Sequence, residues 1–251
     1  MRLRVTKSII PNLFTIMNMF CGFLSVINSS EGNFYYASVL IILAGLFDAL
    51  DGLAARITNS ASEFGVELDS LSDLVSFGIA PAFLIYKIKL YVFLEIGVLI
   101  SAFYLITAAL RLARFNVQLI GFDKSHFSGL PSPLGAMTVA SFILTFYDNS
   151  IGKFINWTGF YFILLSIAIG FLMISKIRYE AFPKLTKEGL KKNFILVSFM
   201  ILSLFVAILS KGRAIIFLLL IYILFGFIRS LVKSTYKLVK PELNSEEINN
   251  V

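Results

Sequence analysis

A chain of 251 residues that is 58% hydrophobic, 15% aromatic and only 15% charged stands far from soluble domains, in which about 25% of residues are charged. Together with a mean hydropathy of +0.85 and a single cysteine, Cys21, this excludes a soluble globular domain, a disordered chain and a disulfide scaffold. The net charge of +7, from 22 Lys and Arg against 15 Asp and Glu, would suggest nucleic acid in a soluble protein, so its distribution along the chain decides its meaning.

Hydrophobic segments fall at 12–28, 34–55, 70–88, 90–112, 131–147, 153–174, 193–210 and 213–231, each close to the roughly 20 residues that cross a bilayer. The expectation is an all-α, polytopic transmembrane helix bundle of about eight spans, with about six as the alternative because the first and fifth segments are short enough to lie in the interface or re-enter. Arg2, Arg4 and Lys7 before the first segment imitate a signal peptide, but Asn12, Thr15, Asn18 and the lack of a small-residue cleavage site point to a retained helix. With the N-terminus inside, the basic residues divide unevenly. Arg56, Arg111, Arg114, Lys124 and the basic runs at 2–7, 176–192 and 229–240 fall on the cytoplasmic side, against Lys87, Lys89, Lys153, Lys211 and Arg213 outside. This asymmetry places both termini in the cytoplasm and directs the net charge to the anionic leaflet rather than to nucleic acid. Residues 1–231 read as one transmembrane domain and 232–251 as a polar cytoplasmic tail.

Four aspartates stand at one membrane face. Asp48 and Asp51 are three apart at the inner end of the second segment, and Asp69 and Asp73 are four apart at the start of the third, so each pair shares a helical face. A short connection makes the two helices antiparallel neighbours, and four converging carboxylates cannot all stay ionised beside one arginine, Arg56. Divalent cations with hard oxygen ligands, completed by phosphate oxygens, would neutralise them. Gly52 and Ala55 lie on the stripe of Asp48 and Asp51 and leave room for a phosphate or a flat ring against the backbone.

The ordered set Asp48-x2-Asp51-Gly52-x2-Ala55-Arg56-x8-Gly65-x3-Asp69-x3-Asp73 resembles the signature of the CDP-alcohol phosphatidyltransferases at every defined position. The resemblance implies that an alcohol attacks the lipid-side phosphorus of a CDP-linked lipid and CMP leaves. It implies Asp48, Asp51, Asp69 and Asp73 as ligands of a binuclear Mg²⁺ or Mn²⁺ site, with Asp73 also the general base. It further implies contacts to the CDP moiety from Asn12, Thr15, Gly52, Ala55, Arg56 and Ser62, and a homodimer in the cell membrane. No cysteine or histidine nucleophile is required, and the sole histidine, His126, reads as a polar loop residue.

Three further stretches, Ile10-Pro11-Asn12-Leu13-Phe14-Thr15 with Asn18 and Gly22, Arg111-x2-Arg114-Phe115-Asn116, and Phe127-Ser128-Gly129-Leu130-Pro131-Ser132-Pro133, resemble the membrane-embedded phosphatidylserine synthases of that superfamily. This implies CDP-diacylglycerol and L-serine as substrates, with Arg111, Arg114 and Ser132 as acceptor-site residues. Sister transferases that accept glycerol phosphate, inositol phosphate or choline stay open, as does an archaetidylserine synthase acting on an ether lipid. Of another class, an ion-coupled transporter would also hold intramembrane carboxylates, though nearer the midplane.

Overall fold

The computed structural model describes residues 9–58, 62–120, 129–175, 177 and 215–239. The chain forms α1 (Ile9–Ser30), α2 (Phe34–Thr58), α3 (Glu63–Asp73), a π-helical turn (Leu74–Ile79), α4 (Ala80–Ile88), a 3₁₀ turn (Leu90–Phe93), α5 (Leu94–Ile120), α6 (Ser132–Phe146), α7 (Thr158–Ile174) and α8 (Ile215–Val239). Four stretches, Ile9–Ser30, Phe34–Thr58, Glu63–Ile88 and Leu90–Val117, are long and apolar enough to cross a membrane, and Ser132–Phe146, Thr158–Ile174 and Ile215–Ile228 are shorter apolar helices. The expected segment at 193–210, His126 and most of the basic runs used for orientation lie outside the described residues.

The side-chain pattern of α1 is inverted relative to a soluble helix. Its outer stripe is Ile9, Leu13, Ile16, Phe20, Phe23 and Ile27, all exposed, whereas its inward stripe is Pro11, Thr15, Asn18, Gly22, Ser25 and Ser29. In lipid the large apolar side chains gain nothing by turning inward, and small or polar residues let backbones approach and bond. Accordingly Ser72 and Ser76 donate to the carbonyls of Thr15 and Asn18 at 2.9 and 2.8 Å, and Ser25 donates to that of Ala37 at 2.9 Å. A Cβ on Gly22 would lie 2.7 Å from the Cα of Ser76, so only glycine admits this crossing.

Two local devices fix the order of helices. Gly32, at φ +83°, ends α1 while the Asn33 N–H reaches back to the Asn28 carbonyl at 2.9 Å, a glycine-closed terminus that returns α2 antiparallel to α1. The rod from Glu63 to Ile88 is broken by the π turn, in which the Ala80 N–H bonds the Val75 carbonyl five residues back. Pro81, in the first turn of α4, has no N–H to continue the regular ladder, and the wider turn absorbs that loss. α1 packs on α2 and on the α3–π–α4 rod, α2 on α6, α5 on α7, and α8 on α6.

Two features depart from the expected segments. Residues 147–154 form a two-stranded hairpin, β1 (Tyr147–Asp148) with β2 (Lys153–Phe154), so the sixth helix of the apolar pattern begins at Thr158 rather than 153. The Ser150 backbone N–H and hydroxyl both donate to Asp148, which holds its carboxyl below the usual carboxylate range. Aromatic rings of Phe142, Phe146, Tyr147, Phe154 and Phe162 cover the hairpin with centroids 4.8 to 6.2 Å apart. In the second departure, α8 continues past the expected segment end at 231 to Val239. No glycine or proline interrupts residues 232–239, and Pro241 first disfavours helix at the residue before it.

Gly22→Ala should therefore lower the stability of the detergent-solubilised protein by about 1–3 kcal/mol, the scale of an overpacked contact. Leu13→Ala, on the outward stripe, should shift thermal unfolding far less. Equal shifts would show that the α1 crossing does not depend on this contact.

Candidate active site

The carboxylates converge because α2 and α3 both lie against α1 at one end of the bundle. Single carboxylate oxygens of Asp48, Asp51 and Asp69 lie within 4.8 Å of one another. Asp51 is 7% exposed and Asp73 8%. Asp73 stands beside the trio, its side chain within hydrogen-bonding reach of Asp48, and it accepts from the Asn18 amide at 3.3 Å. The Thr15 hydroxyl lies within reach of Asp51 and also donates to the Pro11 carbonyl at 3.2 Å.

Asp51 Oδ2 and Asp69 Oδ1 are buried without a hydrogen-bond partner. Leaving such oxygens unpaired is expensive, and more so for charged groups. Three carboxylates so close together, two of them carrying an oxygen without a partner among the described residues, fit a divalent cation.

The other site residues of the sequence reading divide into three groups. Gly52 faces open space, since a Cβ there would meet nothing within 4 Å, and Ala55 is half-buried one turn on. Asn12 comes close to α3, its Oδ1 lying 3.4 Å from where a Gly65 Cβ would sit. Ser62, exposed, caps α3, its hydroxyl accepting from the Gly65 N–H at 3.1 Å. Arg56 is exposed at the end of α2.

Arg111 and Arg114, both implied at the acceptor site, diverge. Arg111 donates to the fully buried Ser132 hydroxyl at 2.8 Å, lies over the Phe115 ring at 5.9 Å, and is near enough to Asp73 and Asp48 to interact electrostatically with both. Arg114 is exposed and donates to the Ile174 carbonyl at the end of α7 at 3.3 Å. Gly129 explains how Ser132 reaches Arg111. Its φ of +93° and the overlap that a Cβ would make with the Met173 carbonyl demand glycine. The Gly129 and Leu130 N–H groups then bond the carbonyls of Ile177 and Leu172 at 2.8 and 3.0 Å, docking the start of α6 onto the end of α7.

The sequence reading gave no role to Ser70, Asn116 or Asn18. Ser70 and Asn116 bond each other at 2.8 Å, tying α3 to α5 beside Asp69. The spacing of Asn18 from Thr15 and Gly22 on one inward stripe was the available signal.

Asp48→Asn, Asp51→Asn and Asp69→Asn should each weaken Mn²⁺ binding by at least about tenfold in isothermal titration, because each removes one anionic ligand. Without cation, none should unfold at a lower temperature than the parent, since clustered negative charge is relieved. Unchanged Mn²⁺ affinity in all three would contradict the site.

The profile of the family described as CDP-alcohol phosphatidyltransferase matches residues 8–182. A Helicobacter pylori protein named CDP-diacylglycerol–serine O-phosphatidyltransferase is 38% identical over 219 residues, covering 87% of this chain and 90% of the relative. A Bacillus subtilis protein of the same name is 38% identical over 185 residues, 73% of this chain and 97% of the relative. An archaetidylserine synthase of Methanothermobacter thermautotrophicus is 42% identical over 173 residues, 68% of this chain and 69% of the relative. With its aspartates gathered where the shared signature requires and the match running through α1 to α7, the chain belongs to the CDP-alcohol phosphatidyltransferase family.

Proposed function

We propose that this enzyme transfers the phosphatidyl group of CDP-diacylglycerol to the hydroxyl of L-serine, giving phosphatidylserine and CMP. The observation that carries the reading is the juxtaposition of the Asp48–Asp51–Asp69 cluster and Asp73 with the Arg111–Ser132 pair. Acidic groups suited to a cation and a phosphate thus stand next to one guanidinium suited to a carboxylate. Relatives named for serine transfer support the acceptor.

In this reading Asp48, Asp51 and Asp69, with Asp73 beside them, hold one or two Mg²⁺ or Mn²⁺ ions. When bound, these supply charge neutralisation for the pyrophosphate and for the departing CMP. The open backbone at Gly52, flanked by Ala55, Asn12, Thr15, Ser62 and Arg56, receives the nucleotide. Asp73 accepts the proton of the serine hydroxyl as its oxygen bonds to the lipid-side phosphorus and the bond from that phosphorus to the CMP oxygen breaks. Arg111, braced by Ser132 and Phe115, holds the serine carboxylate. Arg114, engaged at the end of α7, is given no part in that clamp. The enzyme acts as a homodimer in the cell membrane, with its site and both termini at the cytoplasmic face, consistent with the basic residues flanking the spans.

A second reading keeps the reaction and changes the lipid. The archaetidylserine synthase relative supports an ether-linked CDP-lipid, which the same headgroup contacts would serve. A phosphorylated acceptor would call for further cations near Arg111. Among the described residues, Arg111 is the cation that interacts with the aspartates.

The test is purified protein with CDP-diacylglycerol or its ether analogue, Mg²⁺ or Mn²⁺, and a panel of labelled alcohols. Serine should exceed glycerol phosphate, inositol phosphate and choline by orders of magnitude in kcat/KM, and initial-rate plots should intersect because both substrates are bound together. A preference for a phosphorylated alcohol would overturn the acceptor, and parallel plots would overturn direct displacement.

Arg111→Lys should raise KM for serine at least about tenfold while leaving KM for the CDP-lipid within about twofold, because a point charge does not replace a bidentate fork. Arg114→Lys should change neither comparably. Equal effects of the two substitutions would show that Arg111 is not the carboxylate clamp.

A further inference from the structure

Asn18 is fully buried in the middle of α1, where an amide needs a reason to be. Its Nδ2 donates to Asp73 Oδ1 at 3.3 Å across 55 residues of sequence, while its Oδ1 is buried with no partner. An amide placed only to complete the packing would be satisfied at both ends. Here the orientation of the side chain is set by the bond to Asp73.

The backbone around Asn18 is held to the same helix that carries Asp73. Ser72 donates to the Thr15 carbonyl at 2.9 Å and Ser76 to the Asn18 carbonyl at 2.8 Å, and Gly22 allows the close crossing one turn further along. Ser72 and Ser76 flank Asp73, so one register of α1 against α3 and the π turn brings the amide to the carboxylate. The π turn begins at Leu74, the residue after Asp73, so the helix itself is least regular where Asp73 must be aimed. A donor from a neighbouring helix supplies the missing constraint.

We propose that Asn18 is a positioning residue for Asp73: it engages one carboxylate oxygen and so leaves the other turned to Asp48 and to the attacking hydroxyl. This rests on the reading of Asp73 as the proton acceptor. Asn18 itself touches neither lipid nor serine in this account, so its loss acts on turnover through Asp73 and not on binding.

The experiment is a double-mutant cycle in detergent-purified protein with CDP-diacylglycerol, serine and Mn²⁺, using Asn18→Leu, Asp73→Asn and the pair. Asn18→Leu should lower kcat at least about tenfold with KM for CDP-diacylglycerol within about twofold and with Mn²⁺ affinity, read by titration without substrate, also within about twofold. In the Asp73→Asn background the same substitution should add less than about a further twofold, because there is no base left to position. Equal losses in the two backgrounds, or a loss confined to KM or Mn²⁺ affinity, would overturn the inference while leaving the role of Asp73 intact. If Asp73→Asn alone leaves kcat undiminished, the base itself is misassigned and the inference falls with it. Should Asn18→Leu fail to fold, the smaller Asn18→Ala, which removes the donor without adding charge, should show the same pattern. If that variant also fails to fold, Asn18 is a packing residue only and the inference is overturned.

Discussion

Carboxylates within a chain this apolar impose the constraint on which the rest of the structure depends. Asp51 and Asp73 are almost fully removed from solvent, and oxygens of Asp51 and Asp69 have no hydrogen-bond partner among the described residues. A helix bundle in lipid does not tolerate such groups unless something of opposite charge comes to them. Among the described residues the partners are the Asn18 amide, the Thr15 hydroxyl and the Arg111 guanidinium, too few to satisfy four acids. The acidic trio is a group that could hold a metal ion, and a cation that meets phosphate there is the reading proposed above.

Holding those acids together falls to α1, whose packing reverses soluble logic. Bulky side chains face outward and the inward stripe is glycine, serine, threonine and asparagine. Because lipid removes the hydrophobic drive between helices, contact comes from close backbone approach and from hydroxyls bonding across helices. The same residues that permit tight packing thus place Asn18 and Thr15 at the carboxylates, so the stability of the bundle and the geometry of the site share their contacts. Family members that keep the aspartate signature but differ along this stripe should differ in how Asp73 is held.

Much of the site was legible in the sequence because its signal is local. The spacing of Asp48 and Asp51, and of Asp69 and Asp73, fixes their helical faces, and the short connection fixes that those faces meet. The open surface at Gly52 followed from its stripe in the same way. What escaped depends on neighbours distant in sequence. Arg111 and Arg114 are three residues apart, a step of about 60° around the helix, and that offset sends one to α6 and the other to the end of α7. The hairpin at 147–154 falls on the polar break between two apolar segments and draws their adjoining ends into strands, and the π turn after Asp73 is set by Pro81 several residues on. Ser62 carries a local role that its place in the motif did not show, capping α3.

The central claim is that the aspartates of α2 and α3 bind a cation that meets the phosphates of the CDP-linked lipid. Electron–nuclear double resonance on Mn²⁺-loaded protein with CDP tests it most directly, because coupling from ³¹P to the electron spin requires the ion and phosphate to be in contact. The account predicts a ³¹P coupling in the parent protein that disappears in Asp51→Asn. Mn²⁺ bound without ³¹P coupling, or a coupling that survives in Asp51→Asn, would contradict it.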